Sequence, residues 1–214
     1  MNPIMKTIQL TGIVPVITIK DAKKSVPLAH ALIAGGIPCA EVTFRTSEAA
    51  EAIREIAEKV PGILVGAGTV LTKEQVDRAI DAGAKFIVSP GFNPGVVEHC
   101  IKKNIPIVPG CCTPTEMEQA LERGIQIIKF FPAEQSGGLN FLRAVSSPYS
   151  TLHFIPTGGI SPTNLGEYIS FNRVIACGGS WMVQSDWIDQ MDYDRITTEC
   201  VQAAKIVKKA RVGV

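Results

Sequence analysis

Eight short apolar runs, rich in β-branched residues, recur along the chain at intervals of roughly 20–25 residues. They are Ile13–Ile19, Cys39–Phe44, Leu64–Ala67, Phe86–Ser89, Ile105–Val108, Ile127–Phe130, His153–Pro156 and Val174–Cys177. Between them lie stretches such as Ser47–Val60, Thr72–Ala82 and Thr115–Arg123, whose apolar residues fall at i, i+3 and i+4 with charges on the opposite face. Ser47 and Thr72 have the character of helix N-caps, and Thr113-Pro114 and Ser161-Pro162 pair a cap with proline at the first helical position. Gly35, Gly83 and Gly124 stand where helices would stop.

Strands that are apolar throughout and alternate with helices need a parallel sheet covered on both faces. Eight such units predict an α/β fold of the (β/α)8 or TIM-barrel class, with residues 1–214 forming a single barrel domain. The residues before Ile13 can supply a short extra helix that closes the barrel bottom. The rival is an open doubly wound sheet. It would stop at about five or six strands and carry a glycine-rich phosphate loop after the first. Here the first strand runs into KDAKKSVP (Lys20–Pro27), which has no glycine.

With a net charge of +1 and 19% charged residues, nothing points to nucleic acid or to an anionic membrane surface as a partner. The basic residues Lys205, Lys208, Lys209 and Arg211 fit the solvated face and last turn of a final helix. No apolar run approaches the ~18 residues of a membrane span, and MNPIMKTIQLTGIVPVITIK has no small-residue cleavage site after its apolar segment. A cytoplasmic protein is expected. Cys39, Cys100, Cys111, Cys112, Cys177 and Cys200 show no CxxC spacing and form no ligand cluster with His30, His99 or His153. They read as reduced, hydrophobe-like thiols, and no metal site is expected.

In a barrel of this kind, the side chains at the C-terminal strand ends make the active site. Those ends carry Glu41, Thr43 and Arg45 on strand 2, Thr69 after strand 3, and Ser89 and Pro90 after strand 4. Strand 6 carries Lys129. Thr157, Gly158 and Gly159 follow strand 7, and Gly178, Gly179 and Ser180 follow strand 8. Double-glycine turns at those last two places suit a phosphate, the first leading into the capped helix expected at Ser161-Pro162. Lys129 interrupts an apolar run. Pointing inward with Ile127, it would lose hydration, which disfavours the ammonium form and favours an amine able to attack a ketone. The alternative is a lysine that reaches the barrel mouth or pairs with a carboxylate. Glu41 and Arg45 share a strand face; they form either a plain ion pair or an acid/base beside a carboxylate clamp. Taken together, these groups fit a phosphorylated keto acid handled through an imine.

The motifs EVTFRT (Glu41–Thr46), VGAGTVL (Val65–Leu71), SPG (Ser89–Gly91), IPIVPGCCTPTE (Ile105–Glu116), KFFPAE (Lys129–Glu134), PTGGI (Pro156–Ile160) and GGSW (Gly178–Trp181) resemble the class I 2-keto-3-deoxy-6-phosphogluconate (KDPG) and 2-keto-4-hydroxyglutarate (KHG) aldolases. The likeness covers nearly the whole chain, in the family's order. It implies that Lys129 is the Schiff-base lysine, Glu41 the general acid/base and Arg45 the binder of the pyruvoyl carboxylate. Thr69 and Phe131 would line the pyruvate end, and Pro90 is grouped with them. Thr157 would contact a substrate hydroxyl, while Gly158, Gly159, Gly178, Gly179 and Ser180 would hold the phosphate. The resemblance further implies cleavage of KDPG to pyruvate and D-glyceraldehyde 3-phosphate and of KHG to pyruvate and glyoxylate. It also implies a homotrimer, with no cofactor and no metal. Threonine at 157 favours the gluconate substrate over its galactonate epimer. Ser47 replaces an acidic residue of near members, and Cys111-Cys112 stand where small residues are common. Two other readings keep the barrel: an epimerase or phosphate-ester synthase that forms no imine, and a non-catalytic sugar-phosphate sensor.

Overall fold

The computed structural model describes residues 2–212, so Met1, Gly213 and Val214 of the expected domain lie outside the described residues. Its strands are β1 (Ile13–Ile17), β2 (Cys39–Thr43), β3 (Leu64–Gly68), β4 (Ile87–Val88), β5 (Ile107–Val108), β6 (Ile127–Phe130), β7 (His153–Pro156) and β8 (Cys177–Gly179). Its helices are α1 (Pro3–Thr11), α2 (Ser25–Ala34), α3 (Ala49–Lys59), α4 (Lys73–Asp81), α5 (Pro94–Lys102), α6 (Pro114–Glu122), α7 (Gly138–Val145), α8 (Leu165–Ser170), α9 (Ser185–Asp189) and α10 (Tyr193–Val212). Six strands form a curled parallel sheet in the order β5-β4-β3-β2-β1-β8, and β6 and β7 pair in a second parallel sheet. Single-residue parallel bridges link Gly110 to Lys129, Phe154 to Val174 and Thr157 to Gly178.

Strand alternation sorts the apolar residues into two sets. Ile13, Ala40, Ile128 and Phe154 pack outward against the helices. Val14, Cys39, Ile127 and Ile155 pack inward with Phe86, Val88 and Val108, above Met5 and Ile8 of α1. Side chains two residues on keep the same phase. Val16, Glu41, Lys129 and Thr157 therefore share the inner side, toward the C-terminal strand ends. Fully buried outer residues such as Leu28 and Ile53 each contribute about 1.5–3 kcal/mol from burial.

Local signals decide several helix starts. Thr72 and Thr113 both form complete capping boxes, with Gln75 and Glu116 as their partners. Two expected starts are corrected. The Ser47 hydroxyl donates to Glu48, and α3 begins only at Ala49, because Thr46 is tied down by its hydroxyl bond to the Ile19 carbonyl. Ser161-Pro162 opens a turn, not a helix: Asn164 Oδ1 accepts the Ser161 N–H at 2.9 Å, and α8 starts at Leu165. β1 ends at Ile17 rather than Ile19, and β4 and β5 each shrink to a residue pair. β8 lies later than expected, at Cys177–Gly179, since Val174 pairs only singly. All six cysteines are free thiols, and burial pushes Cys39 and Cys200 up to about 12, as for small apolar fillers. Among the described residues, no helix is long and apolar enough to cross a membrane.

Candidate active site

β2 and β6 bring the first two groups together. Val16 on β1 sits in register with Glu41, and Lys129 with Ile155, so both polar side chains emerge on the inner side one layer above the apolar interior. Lys129 Nζ lies 3.6 Å from Glu41 Oε1, and both residues are buried, at 6% and 3% exposure. Among the described residues, Glu41 Oε1 has no hydrogen-bond partner. At this separation an effective dielectric near 20 gives an attraction of about 5 kcal/mol, while each buried ion loses several kcal/mol of hydration. The pair at best breaks even as a stabilising feature. A buried carboxylate oxygen left without a donor is a feature that packing alone does not account for.

The space for Glu41 is made by β3. A Cβ on Gly68 would stand 2.1 Å from Glu41 Oε1 and 2.5 Å from its Cγ, so glycine is required where the carboxylate lies across the strand. Phe131 covers the other side, with its ring centroid 5.2 Å from Lys129 Nζ. The void around the pair is about 10 Å3, room for no more than one water, and Thr157 bounds it.

Thr157 also lines a larger cavity of about 500 Å3 directly outside, with Arg45, Phe131, Gly158, Gly159 and Ser180. Arg45 does not pair with Glu41, which excludes the plain ion pair left open by the sequence. Arg45 Nε donates to the Thr69 hydroxyl at 3.3 Å, leaving the end of its fork to the cavity. Thr69 holds φ at 56°, a strained setting for a β-branched residue. Gly158 (φ 97°) and Gly159 (φ 78°) turn successive backbone amides along the cavity edge, a geometry suited to an anion. The segment after Lys129 braces this turn: Ala133 N–H donates to Thr157 O at 2.8 Å and Glu134 N–H to Gly158 O at 3.2 Å. The Tyr168 hydroxyl donates to the Glu134 carboxylate, and burial together with that carboxylate pushes the phenol up from its usual range.

Lys129, Glu41, Arg45, Thr69, Phe131, Thr157, Gly158, Gly159, Gly179 and Ser180 thus meet around one opening. Gly178 stands behind it, bridged to Thr157. Pro90 does not line the cavity; its carbonyl backs onto Gly110, where an added Cβ would come within 2.0 Å. Thr18 lines the cavity and was missed by the sequence reading. Its signal was a hydroxyl at the inward phase set by Val14 and Val16. Cys112 approaches the site only indirectly, donating its thiol to the Phe131 carbonyl at 2.7 Å. A second cavity, of about 530 Å3, lies at the opposite strand ends beside Met5, Ile107 and Ile127, far from any of these polar groups.

The family model "Aldolase: KDPG and KHG aldolase" matches residues 4–199. The chain belongs to the KDPG and KHG aldolase family. It is 50% identical over 207 residues to a 2-dehydro-3-deoxy-phosphogluconate aldolase of Treponema pallidum (strain Nichols), covering 97% of this chain and 99% of that one. It is 44% identical over 205 residues to the KHG/KDPG aldolase of Escherichia coli (strain K12), covering 94% and 96%. A crystal structure of KDPG aldolase from Legionella pneumophila, with pyruvate captured at low pH as a covalent carbinolamine intermediate, superposes with a TM-score of 0.91 at 37% identity, over 94% of this chain and 98% of that one.

Proposed function

We propose that this aldolase-family chain is a class I lyase that cleaves KDPG to pyruvate and D-glyceraldehyde 3-phosphate and KHG to pyruvate and glyoxylate. The observation that carries this reading is the buried Lys129–Glu41 pair, 3.6 Å apart beneath a cavity that Arg45 and the glycine turns line. The unprotonated Lys129 amine attacks the C2 ketone, and the carbinolamine hydroxyl takes a proton from solvent and leaves as water, giving a cationic imine. Arg45 holds the C1 carboxylate through its planar fork. Glu41 takes the proton of the C4 hydroxyl as the C3–C4 bond breaks, and that bond's electron pair enters the imine to give an enamine. The aldehyde leaves. Glu41 returns the proton to C3, and water releases pyruvate and the free amine. The phosphate rests on Gly158, Gly159, Gly179 and Ser180, with Gly178 behind them. Thr157 contacts a substrate hydroxyl and favours the gluconate epimer, while Thr69 and Phe131 shape the pyruvate end. The imine supplies the electron sink, so the chemistry calls for no metal or other cofactor.

In this reading the eight strands close into one (β/α)8 barrel, forming a single domain over residues 1–214. The bridges at Gly110–Lys129 and Thr157–Gly178, which join the two sheets at both seams, support the closure. The protein acts in the cytoplasm as a homotrimer; cell fractionation and sedimentation velocity check those two points. The test of the chemistry is borohydride reduction in the presence of pyruvate. One pyruvate-derived adduct is expected on Lys129, and Lys129→Ala is expected to lose both the adduct and turnover. Activity without a trapped adduct, abolished by EDTA, would overturn the imine mechanism.

A further inference from the structure

Thr18 stands just past the end of β1, in the inward phase of Val14 and Val16, and lines the 500 Å3 cavity. Val16 pairs in register with Glu41, so Thr18 sits one pleat outward from the acid/base, at the level of Thr43. Its hydroxyl is tied into a short relay. Thr43 Oγ1 donates to the Ile17 carbonyl at 2.8 Å, and Thr18 and Thr43 Oγ1 lie 3.1 Å apart. A hydroxyl has one proton. A carbonyl can only accept, so the Thr43 proton is committed to Ile17. Thr18 is therefore the donor to Thr43, and what it turns to the cavity is lone pairs alone. A phosphate or carboxylate oxygen gains nothing from such a group. A hydroxyl finds an acceptor whose direction is set in advance.

We infer that Thr18 is a specificity-determining residue that accepts a hydrogen bond from a substrate hydroxyl between the cleaved bond and the phosphate. This inference rests on the aldolase reading above. In KDPG the C4 hydroxyl belongs to Glu41, which removes its proton. The C5 hydroxyl is the one left along the stretch of cavity between Glu41 and the glycine turns. KHG has no counterpart to it. Thr18 thus reads a feature that only the phosphorylated sugar acid carries, independently of the phosphate cradle.

The test compares kcat/KM for KDPG and KHG cleavage in the wild type, Thr18→Val and Thr18→Ser. Thr18→Val keeps the side-chain shape and removes the acceptor, and the ratio of kcat/KM for KDPG to that for KHG is expected to fall about five- to tenfold, mostly through KM for KDPG. Thr18→Ser keeps the hydroxyl and the wild-type ratio within about twofold. An unchanged ratio in Thr18→Val, or an equal fall in Thr18→Ser, would overturn the inference. A disturbed fold lowers both rates together and leaves the ratio alone, which also counts against it. A wild type that cleaves neither compound removes the aldolase reading itself, a distinct outcome.

Discussion

At the scale of single residues, the site depends on what its neighbours leave out as much as on what they supply. Glu41 occupies the place where Gly68 has no side chain. Gly68→Ala would put a methyl 2.1 Å from Oε1, too close for either group to stay. The carboxylate must swing away from Lys129, and overpacking is expected to cost about 1–3 kcal/mol. Steady-state assays should show kcat down about 100-fold or more, the scale of a lost general base. Thermal melting should show the protein still folded. A kcat within a few-fold of wild type would mean that this contact does not hold Glu41 in place. The buried Lys129 was legible in the sequence because a charge inside an apolar strand is a local anomaly. The same strand phase made Glu41 and Arg45 readable. Gly68 was not legible, since its reason lies on the neighbouring strand. Nor was Thr18, whose meaning depends on Thr43 and Ile17 taking up its proton. Pro90 shows the limit of reading strand ends in order, because the loop after β4 turns its backbone to Gly110 and leaves the cavity to others.

At the scale of elements, the clearest local signal proved to be the capping box. Thr113 and Glu116 close the loop between β5 and α6: Glu116 Oε2 accepts from the N–H groups of Cys112 and Thr113, each at 2.8 Å, and from the Thr113 hydroxyl at 2.9 Å. Partial burial pushes the Glu116 carboxyl up, but the two backbone donors and the hydroxyl outweigh it and hold the group below its ordinary value of 4.5. A carboxyl with a depressed folded value stabilises the fold above the unfolded value and loses that contribution as pH falls through the folded one. Glu116→Ala should therefore cost about 1–2 kcal/mol at pH 7, measured by denaturant unfolding. The difference from wild type should shrink as pH drops below about 4.5. A gap that stays constant down to pH 3 would rule out the ionised carboxylate as its source. Ser47 and Ser161 carried an N-cap signal and misled, because Thr46 is held by the distant Ile19 carbonyl and Asn164 captures the Ser161 N–H. The short β4 and β5 have a similar cause: strand propensity ran past the few residues that the parallel pairing uses.

At the scale of the molecule, the alternation of parallel strands with helices was legible because eight repeats of one pattern outweigh errors in any single boundary, whereas how the two sheets meet rests on bridges of one residue each. That arrangement makes bound substrate a structural link. Lys129 stands on β6 of the two-stranded sheet and Arg45 follows β2 of the six-stranded one, while the Gly158-Gly159 turn follows β7 and Gly179 ends β8, one from each sheet. A ligand that spans them fastens both sheets at their C-terminal ends. On the proposed reading, pyruvate engages only Lys129, Arg45 and their surroundings, while inorganic phosphate engages only the glycine-lined end. Each should stabilise the folded state by about 2.7 kcal/mol at a hundred times its dissociation constant. For a chain of this length that is a rise of roughly 5–10 °C in melting temperature. Lys129→Ala should lose most of the pyruvate shift and keep the phosphate shift, and Gly159→Asp should do the reverse, since its side chain would meet Glu134 and fill the anion's place. Differential scanning fluorimetry across the four combinations reads this directly. If Lys129→Ala erased both shifts, the two ends of the cavity would be one coupled unit. Separate losses would show the lysine and the turns to be independent holds on opposite ends of one substrate.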